Sequence, residues 1–137
     1  MPKGILFLCV ANSARSQMAE GIARSLAPAD VKTWSAGSRP TKVRPEAIEV
    51  LKEIGIDISG HRSKAVSEIP MDEVDTVITL CAEEECPVFP GKAERVHWGL
   101  ADPASVGSSK LEGLAAFREI RDELVRRITD FLKGPPG

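Results

Sequence analysis

The chain has no tyrosine, two histidines and three cysteines among 137 residues, and its net charge is only −2. Each shortage excludes something. Three cysteines cannot all pair, which argues against a static disulfide framework. The thiols of such a set are more often catalytic, redox or metal groups than staples in a reducing compartment. His61 and His97 are the only histidines and no C-x2-C pair occurs, so a zinc site is not expected. No basic block studded with aromatics is present, which sets nucleic-acid binding aside. No apolar run is long enough to span a bilayer. Met1-Pro2-Lys3-Gly4 leads straight into an apolar run with no small-residue cleavage site behind it, so no signal peptide and a cytoplasmic location are expected. No repeat or low-complexity segment divides the chain. One catalytic-size domain over residues 1–133 with a flexible tail at 134–137 is the expected organisation.

What is present is ordered around one thiol. Cys9 closes the apolar run Gly4-Ile5-Leu6-Phe7-Leu8 and opens Cys9-Val10-Ala11-Asn12-Ser13-Ala14-Arg15-Ser16. Short β-like runs at Gly4–Cys9, Val31–Ser35, Val74–Leu80 and Arg95–Trp98 alternate with helical patterns at Ala14–Leu26, Pro45–Ile54 and Leu111–Leu132. Pro45 suits a first helical turn and Gly55 a C-terminal cap. Leu114, Phe117, Ile120, Leu124, Ile128 and Phe131 recur at helical spacing and read as a core-facing stripe. The pattern predicts an α/β fold, a four-stranded parallel sheet flanked by helices on both faces. Ligands bind at the carboxyl ends of such strands. Cys9 and Cys81 both follow strand ends, after Leu8 and Leu80.

The loop chemistry suits a thiolate attacking a tetrahedral oxyanion. A helix start and a nearby arginine favour the anionic sulfur. Backbone N–H groups of Val10 to Ser16 and the Arg15 guanidinium supply donors to the anion's oxygens. Ala11, Ser13 and Ala14 are small enough for close approach. Asn12 tolerates a left-handed backbone and can brace the loop through its amide. Ser16 can donate a hydrogen bond to the thiolate. The bare Cys-x5-Arg spacing has low specificity. Its competing reading is a buried cysteine at a strand end with Arg15 on a solvated helix face.

Cys9 to Glu20 resembles the active-site loop of low-molecular-weight protein tyrosine phosphatases, and more closely that of the related thioredoxin-coupled arsenate reductases. The resemblance extends to Ser35-Ala36-Gly37, Gly55 to His61, Thr79-Leu80-Cys81, Cys86-Pro87 and His97 to Pro103. It implies the low-molecular-weight phosphatase fold, an arsenate or phosphate-like substrate and thioredoxin as reductant, with no nucleic acid or membrane partner. The implied chemistry is a relay. Cys9 attacks arsenate and Asp102 acts as general acid. Cys81 then attacks Cys9, and Cys86 attacks Cys81. In the phosphatases an aromatic follows the Asp-Pro pair; here Ala104-Ser105 follows Asp102-Pro103. The alternatives are a phosphatase acting on aryl phosphates and a non-catalytic oxyanion or thiol sensor.

Three departures bear on the implied chemistry. The Cys81–Cys86 gap is shorter than in the staphylococcal reductases. If it is helical, its axial advance of about 7.5 Å must shorten before a disulfide can close, so oxidation is expected to loosen residues 81–90. Glu83-Glu84-Glu85 between the thiols reads as a solvated acidic face. Ala14 stands where many relatives carry a further cysteine. Finally, Asn12, Glu20 and Ser35 match three potassium ligands of some relatives, but Lys64 falls where an acidic ligand is expected. No tightly bound cofactor is expected, and Lys64 is expected to take the place of potassium. His61 and His97 read as structural.

Overall fold

The computed structural model describes residues 3–81, 89, 91–103 and 110–133, with backbone alone at 110 and 111. Four strands form one parallel sheet: β1 (Gly4–Cys9), β2 (Lys32–Gly37), β3 (Thr76–Thr79) and β4 (Glu94–His97). The order is β2-β1-β3-β4. The helices are α1 (Arg15–Leu26), α2 (Pro45–Lys52) and α3 (Lys110–Lys133). The chain leaves β1 to one side for β2 and returns to its other side for β3. The order therefore reverses beside β1, and a crevice opens at the carboxyl ends of β1 and β3.

β1 is central, and every one of its residues is buried. That is why it reads as a continuous apolar run rather than an alternating one. Its side chains still alternate in destination. Ile5 and Phe7 join Ile78 and Leu80 in the core under the helices, packed with Met18, Ile22, Leu51, Phe117, Leu124 and Ile128. Leu6 and Leu8 face the other way, into a smaller cluster with Val77, Ile69, Val74 and Phe89. Two single turns of 3-10 helix, Val66–Glu68 and Met71–Glu73, lie in the segment that supplies Ile69 and Val74.

The boundaries differ from the sequence reading in instructive ways. β2 runs on through Ala36 and Gly37, because it pairs with β1 as far as Cys9↔Gly37. A Cβ at Gly37 would lie 2.4 Å from the Val10 carbonyl oxygen, so only glycine lets the loop after β1 rest on the end of β2. α2 ends at Lys52, two residues early. Gly55, at φ +81°, reverses the chain and lets the Ile56 N–H return to the Leu51 carbonyl at 3.0 Å. The α3 stripe packs as expected, with Leu114, Phe117, Leu124 and Ile128 buried and Ile120 and Phe131 at the margin. Trp98 meets Phe131 edge to face, with centroids 6.0 Å apart. No helix among the described residues is long and apolar enough to cross a membrane.

A surface ion cluster clamps α2 to α3. Arg118 grips both oxygens of Glu53, at 3.0 and 2.8 Å, and Arg121 bonds Glu53 Oε1 at 2.7 Å and the Val50 carbonyl at 2.9 Å. These guanidinium hydrogen bonds, Arg118 first, lower the Glu53 carboxyl from 4.5 to about 2. A depressed carboxyl stabilises the folded chain above its unfolded value of 4.5, and that contribution is lost as the pH falls toward about 2. Glu53→Gln should therefore lower the melting temperature at pH 7. The difference from wild type should shrink as the pH falls below 4.5 and disappear only below about pH 2. A difference that holds constant with pH would remove the clamp from the account.

Candidate active site

The oxyanion loop is built by strand pairing on one side and a bare helix start on the other. Cys9 ends β1 buried at 2% exposure, and α1 begins six residues later at Arg15. Among the described residues, no side chain caps α1. Asn12 takes a left-handed backbone, φ +51°, and turns the chain between the two elements. A cavity of about 210 Å³ opens above the loop, lined by Cys9, Val10, Ala11, Ser13, Ala14, Arg15 and Asp102.

Segment 39–44 straps the loop from outside. The N–H groups of Arg39, Thr41 and Arg44 donate to the carbonyls of Val10, Ala11 and Ser13 at 2.9, 3.1 and 2.8 Å. A trans peptide sends its N–H opposite to its C=O, so these bonds turn the N–H groups of Ala11, Asn12 and Ala14 away from the strap. Among the described residues, no acceptor meets the backbone N–H of Val10, Ala11, Asn12, Ser13 or Ala14. A run of unpaired donors at a helix start calls for an anion.

Beneath the loop lies a chain of hydrogen bonds with a fixed direction. The Lys64 N–H donates to Asn12 Oδ1 at 2.8 Å, which orients that amide and leaves Nδ2 to donate to Ser16 Oγ at 2.7 Å. The Ser16 hydroxyl is thereby free to donate to Cys9 Sγ, 2.8 Å away. Gln17 Nε2 donates to Asn12 Oδ1 at 2.9 Å and to the Arg62 carbonyl at 2.9 Å. Gln17 Oε1 lies 2.9 Å from His61 Nδ1, and Arg24 NH1 lies 2.9 Å from His61 Nε2. The guanidinium can only donate, so Nε2 accepts and Nδ1 carries the proton. Burial pushes His61 below its ordinary 6.5, and the cations of Arg24 and Lys64 add to this, against the opposing pull of Glu20.

Glu20 is buried, and its carboxylate accepts from Ser35 Oγ at 2.5 Å, pairs with Arg24 and lies 3.5 Å from the Lys64 ammonium. Arg15, 5% exposed, donates to the Leu100 carbonyl at 2.9 Å and reaches the Leu80 carbonyl at 3.4 Å. Leu80 precedes Cys81, and Leu100 lies two residues before Asp102. The guanidinium on the anion cavity is thus braced by the two segments that carry those groups. Cys81 is buried and disulfide-bonded while Cys9 is a free thiol, so the sulfur bonded to Cys81 is not that of Cys9. Cys86 and the acidic run Glu83-Glu84-Glu85 lie outside the described residues, as do residues 82–88 as a segment.

Residues 4–134 match the family described as low molecular weight phosphotyrosine protein phosphatase. The chain belongs to that family. Arsenate reductases are among its relatives. It is 44% identical over 131 residues to an arsenate reductase of Halalkalibacterium halodurans, covering 94% of each chain. A solved arsenate reductase in the phosphate-binding state superposes with a TM-score of 0.81 at 32% identity, over 96% of this chain and 97% of that one. A Corynebacterium glutamicum thioredoxin-dependent arsenate reductase gives 0.70 at 33% identity, over 95% of this chain and 60% of that one.

Within this family frame the structure gathers Cys9, Val10, Ala11, Ser13, Ala14, Arg15 and Asp102 at one cavity, with Asn12, Ser16, Glu20, Ser35 and Lys64 packed behind it. The bracing roles of Gln17 and His61 are not visible in the sequence. Their only local signal is Gln17's place in the first turn of α1, pointing away from the apolar stripe. Ser16→Ala removes the hydroxyl donor to Sγ. A hydrogen bond to a charged acceptor contributes roughly 1.5–3 kcal/mol, and the greater nucleophilicity of the thiolate that loses it offsets about half of this, so alkylation of Cys9 by iodoacetamide at pH 7 should slow about threefold to tenfold. Equal rates would mean that the hydroxyl does not support the thiolate.

Proposed function

We propose that the protein reduces arsenate to arsenite through a three-cysteine relay regenerated by thioredoxin. Cys9 attacks arsenic, an oxygen leaves as water with a proton from Asp102, and a sulfur–arsenic bond forms. The Cys81 thiolate attacks Cys9. Their disulfide forms, the sulfur–arsenic bond breaks with its electron pair going to arsenic, and arsenite departs. The Cys86 thiolate then attacks Cys81 and frees Cys9, and a dithiol reductant reopens the last disulfide.

The observation that carries this reading is one cavity holding Cys9, Arg15 and Asp102, with Arg15 braced against the residue before Cys81, in a chain similar to arsenate reductases. Hydrolysis of aryl phosphates is the second reading, favoured by the family's phosphatase membership and by the same cavity. Cys81→Ser should abolish steady-state arsenate turnover with thioredoxin and its reductase, while aryl-phosphate hydrolysis by the same variant survives. Retention of arsenate turnover would refute the relay.

The ammonium of Lys64 takes the place of a bound potassium ion in this reading. Glu20 already has Arg24 and Lys64 as cationic partners and Ser35 as a donor, which leaves its carboxylate neutralised without a further cation. Substrate affinity should then be the same in potassium and sodium buffers of equal ionic strength, and Lys64→Asp should create a potassium dependence. A potassium dependence in the unaltered protein would contradict the replacement.

A further inference from the structure

Residues 82–88, Cys86 among them, connect two fixed points in the chain. The near one is the end of β3. The Leu80 N–H bonds the Leu8 carbonyl at 2.9 Å, the Leu100 N–H bonds the Leu80 carbonyl at 3.0 Å, and Cys81 is buried. The far one is Phe89. Its ring is buried in the cluster of Leu6, Leu8 and Val77, on the face of the sheet away from the helices. The ring also lies against the Gly91 backbone, where a Cβ would come within 2.5 Å of Phe89 Cε2. Arg95 secures this point from β4. It stands opposite Val77 in the β3–β4 register, so its side chain leaves the sheet on the same face. Its Nη2 donates to the Phe89 carbonyl at 2.8 Å and to the Gly91 carbonyl at 3.2 Å. One guanidinium nitrogen thus holds the main chain at both residues.

We propose that Arg95 is a positioning residue for thiol exchange: with Phe89 it fixes the far end of the segment that carries Cys86, and so raises the effective concentration of that sulfur at Cys81. The inference rests on the three-cysteine relay and adds what holds its third thiol within reach. The step concerned forms the Cys81–Cys86 bond as the Cys9–Cys81 bond breaks, with the electron pair leaving on the Cys9 sulfur. Cys86 lies five residues after Cys81 and three before Phe89. A sulfur tethered through Cys81 alone explores a wide volume. A second tether three residues beyond it narrows that volume, and the intramolecular reaction gains in proportion. The anchor involves no sulfur, so it holds whether the cysteines are reduced or paired. It also limits the loosening expected on oxidation to the residues before Phe89. An exposed charge on an edge strand has another use, to guard the edge against pairing with a second chain, and that use makes no claim on the thiols.

The test measures the thiol pair by itself. In a Cys9→Ser background only Cys81 and Cys86 can pair within the chain. Their disulfide-to-dithiol ratio, at equilibrium with reduced and oxidised dithiothreitol, is read by mass after acid quenching and alkylation. Arg95→Leu removes both donors while Phe89 keeps its cluster. The ratio should fall about threefold to tenfold, a rise in reduction potential of about 15–30 mV. Arg95→Lys keeps a donor and should recover part of the difference. With Cys9 present, iodoacetamide should alkylate Cys9 equally fast in Arg95→Leu and in the wild type, with Cys9 read by peptide mass. A ratio that Arg95→Leu leaves unchanged would overturn the proposal in favour of edge protection. A ratio that rises would mean that the clamp strains the disulfide, and would overturn it equally. A changed rate at Cys9 would place the effect in the fold as a whole, again against the proposal. If no disulfide forms between Cys81 and Cys86 at any ratio of the reagent, the relay itself is refuted and the proposal with it, so the two failures are distinct.

Discussion

The hydrogen bonds from Arg39, Thr41 and Arg44 to the carbonyls of Val10, Ala11 and Ser13 are the constraint on which the site depends. Peptide geometry links them to function. With the carbonyls drawn outward, the opposite N–H groups are left without a partner among the described residues, and unpaired backbone donors are costly unless an anion or water meets them. Much else follows from keeping this loop in place. Gly37 must lack a side chain so that the loop lies against β2, and Asn12 must accept a left-handed backbone to complete the turn. The start of α1 must stay uncapped, because a capping side chain would consume the donors that an oxyanion needs.

Behind the loop, the protein buries charge, which is expensive unless each charge is matched. Glu20 is 4% exposed and is met by Arg24, Lys64 and Ser35 on three sides. The cluster specifies geometry more than it adds stability. Through the backbone N–H of Lys64, it fixes which end of the Asn12 amide faces Ser16, and Ser16 in turn faces the sulfur. His61 completes the direction from the other side: as a neutral ring it presents one donor to Gln17 and one acceptor to Arg24. Protonating it would set an N–H against a guanidinium. Its depressed basicity belongs with stability that is present above pH 6.5 and lost as the pH falls below that value.

Features set by neighbours in sequence were legible before the fold was known. The buried run of β1, the α3 stripe, the Gly55 cap and the left-handed tolerance of Asn12 each depend on a few adjacent residues, and each stands where expected. The fold class followed from the alternation of such elements, and the order β2-β1-β3-β4 explains why Cys9 and Cys81 share a rim. What escaped depends on distant partners. β2 continues to Gly37 only because Cys9 lies opposite it. Gln17 matters because Arg62 and His61 reach it across more than 40 residues. The strap has no sequence signature, since it acts through main-chain N–H groups that every residue except proline has.

Arg15 raises a further point about how one loop can serve two chemistries. Its guanidinium lines the anion cavity and also bonds the Leu100 carbonyl at 2.9 Å and the Leu80 carbonyl at 3.4 Å. Asp102 follows the first of these carbonyls and Cys81 the second. Any shift of the β3 end therefore reaches the group that holds the anion, with no intervening side chain. In a phosphatase that brace would only position an acid and a donor. In the proposed relay, with a thiol at residue 81, the same brace would tie the position of the attacking sulfur to that of the oxyanion. On that proposal, the fate of the intermediate at Cys9, water or thiol, would depend on what the neighbouring strand end carries, while the cradle itself is unchanged.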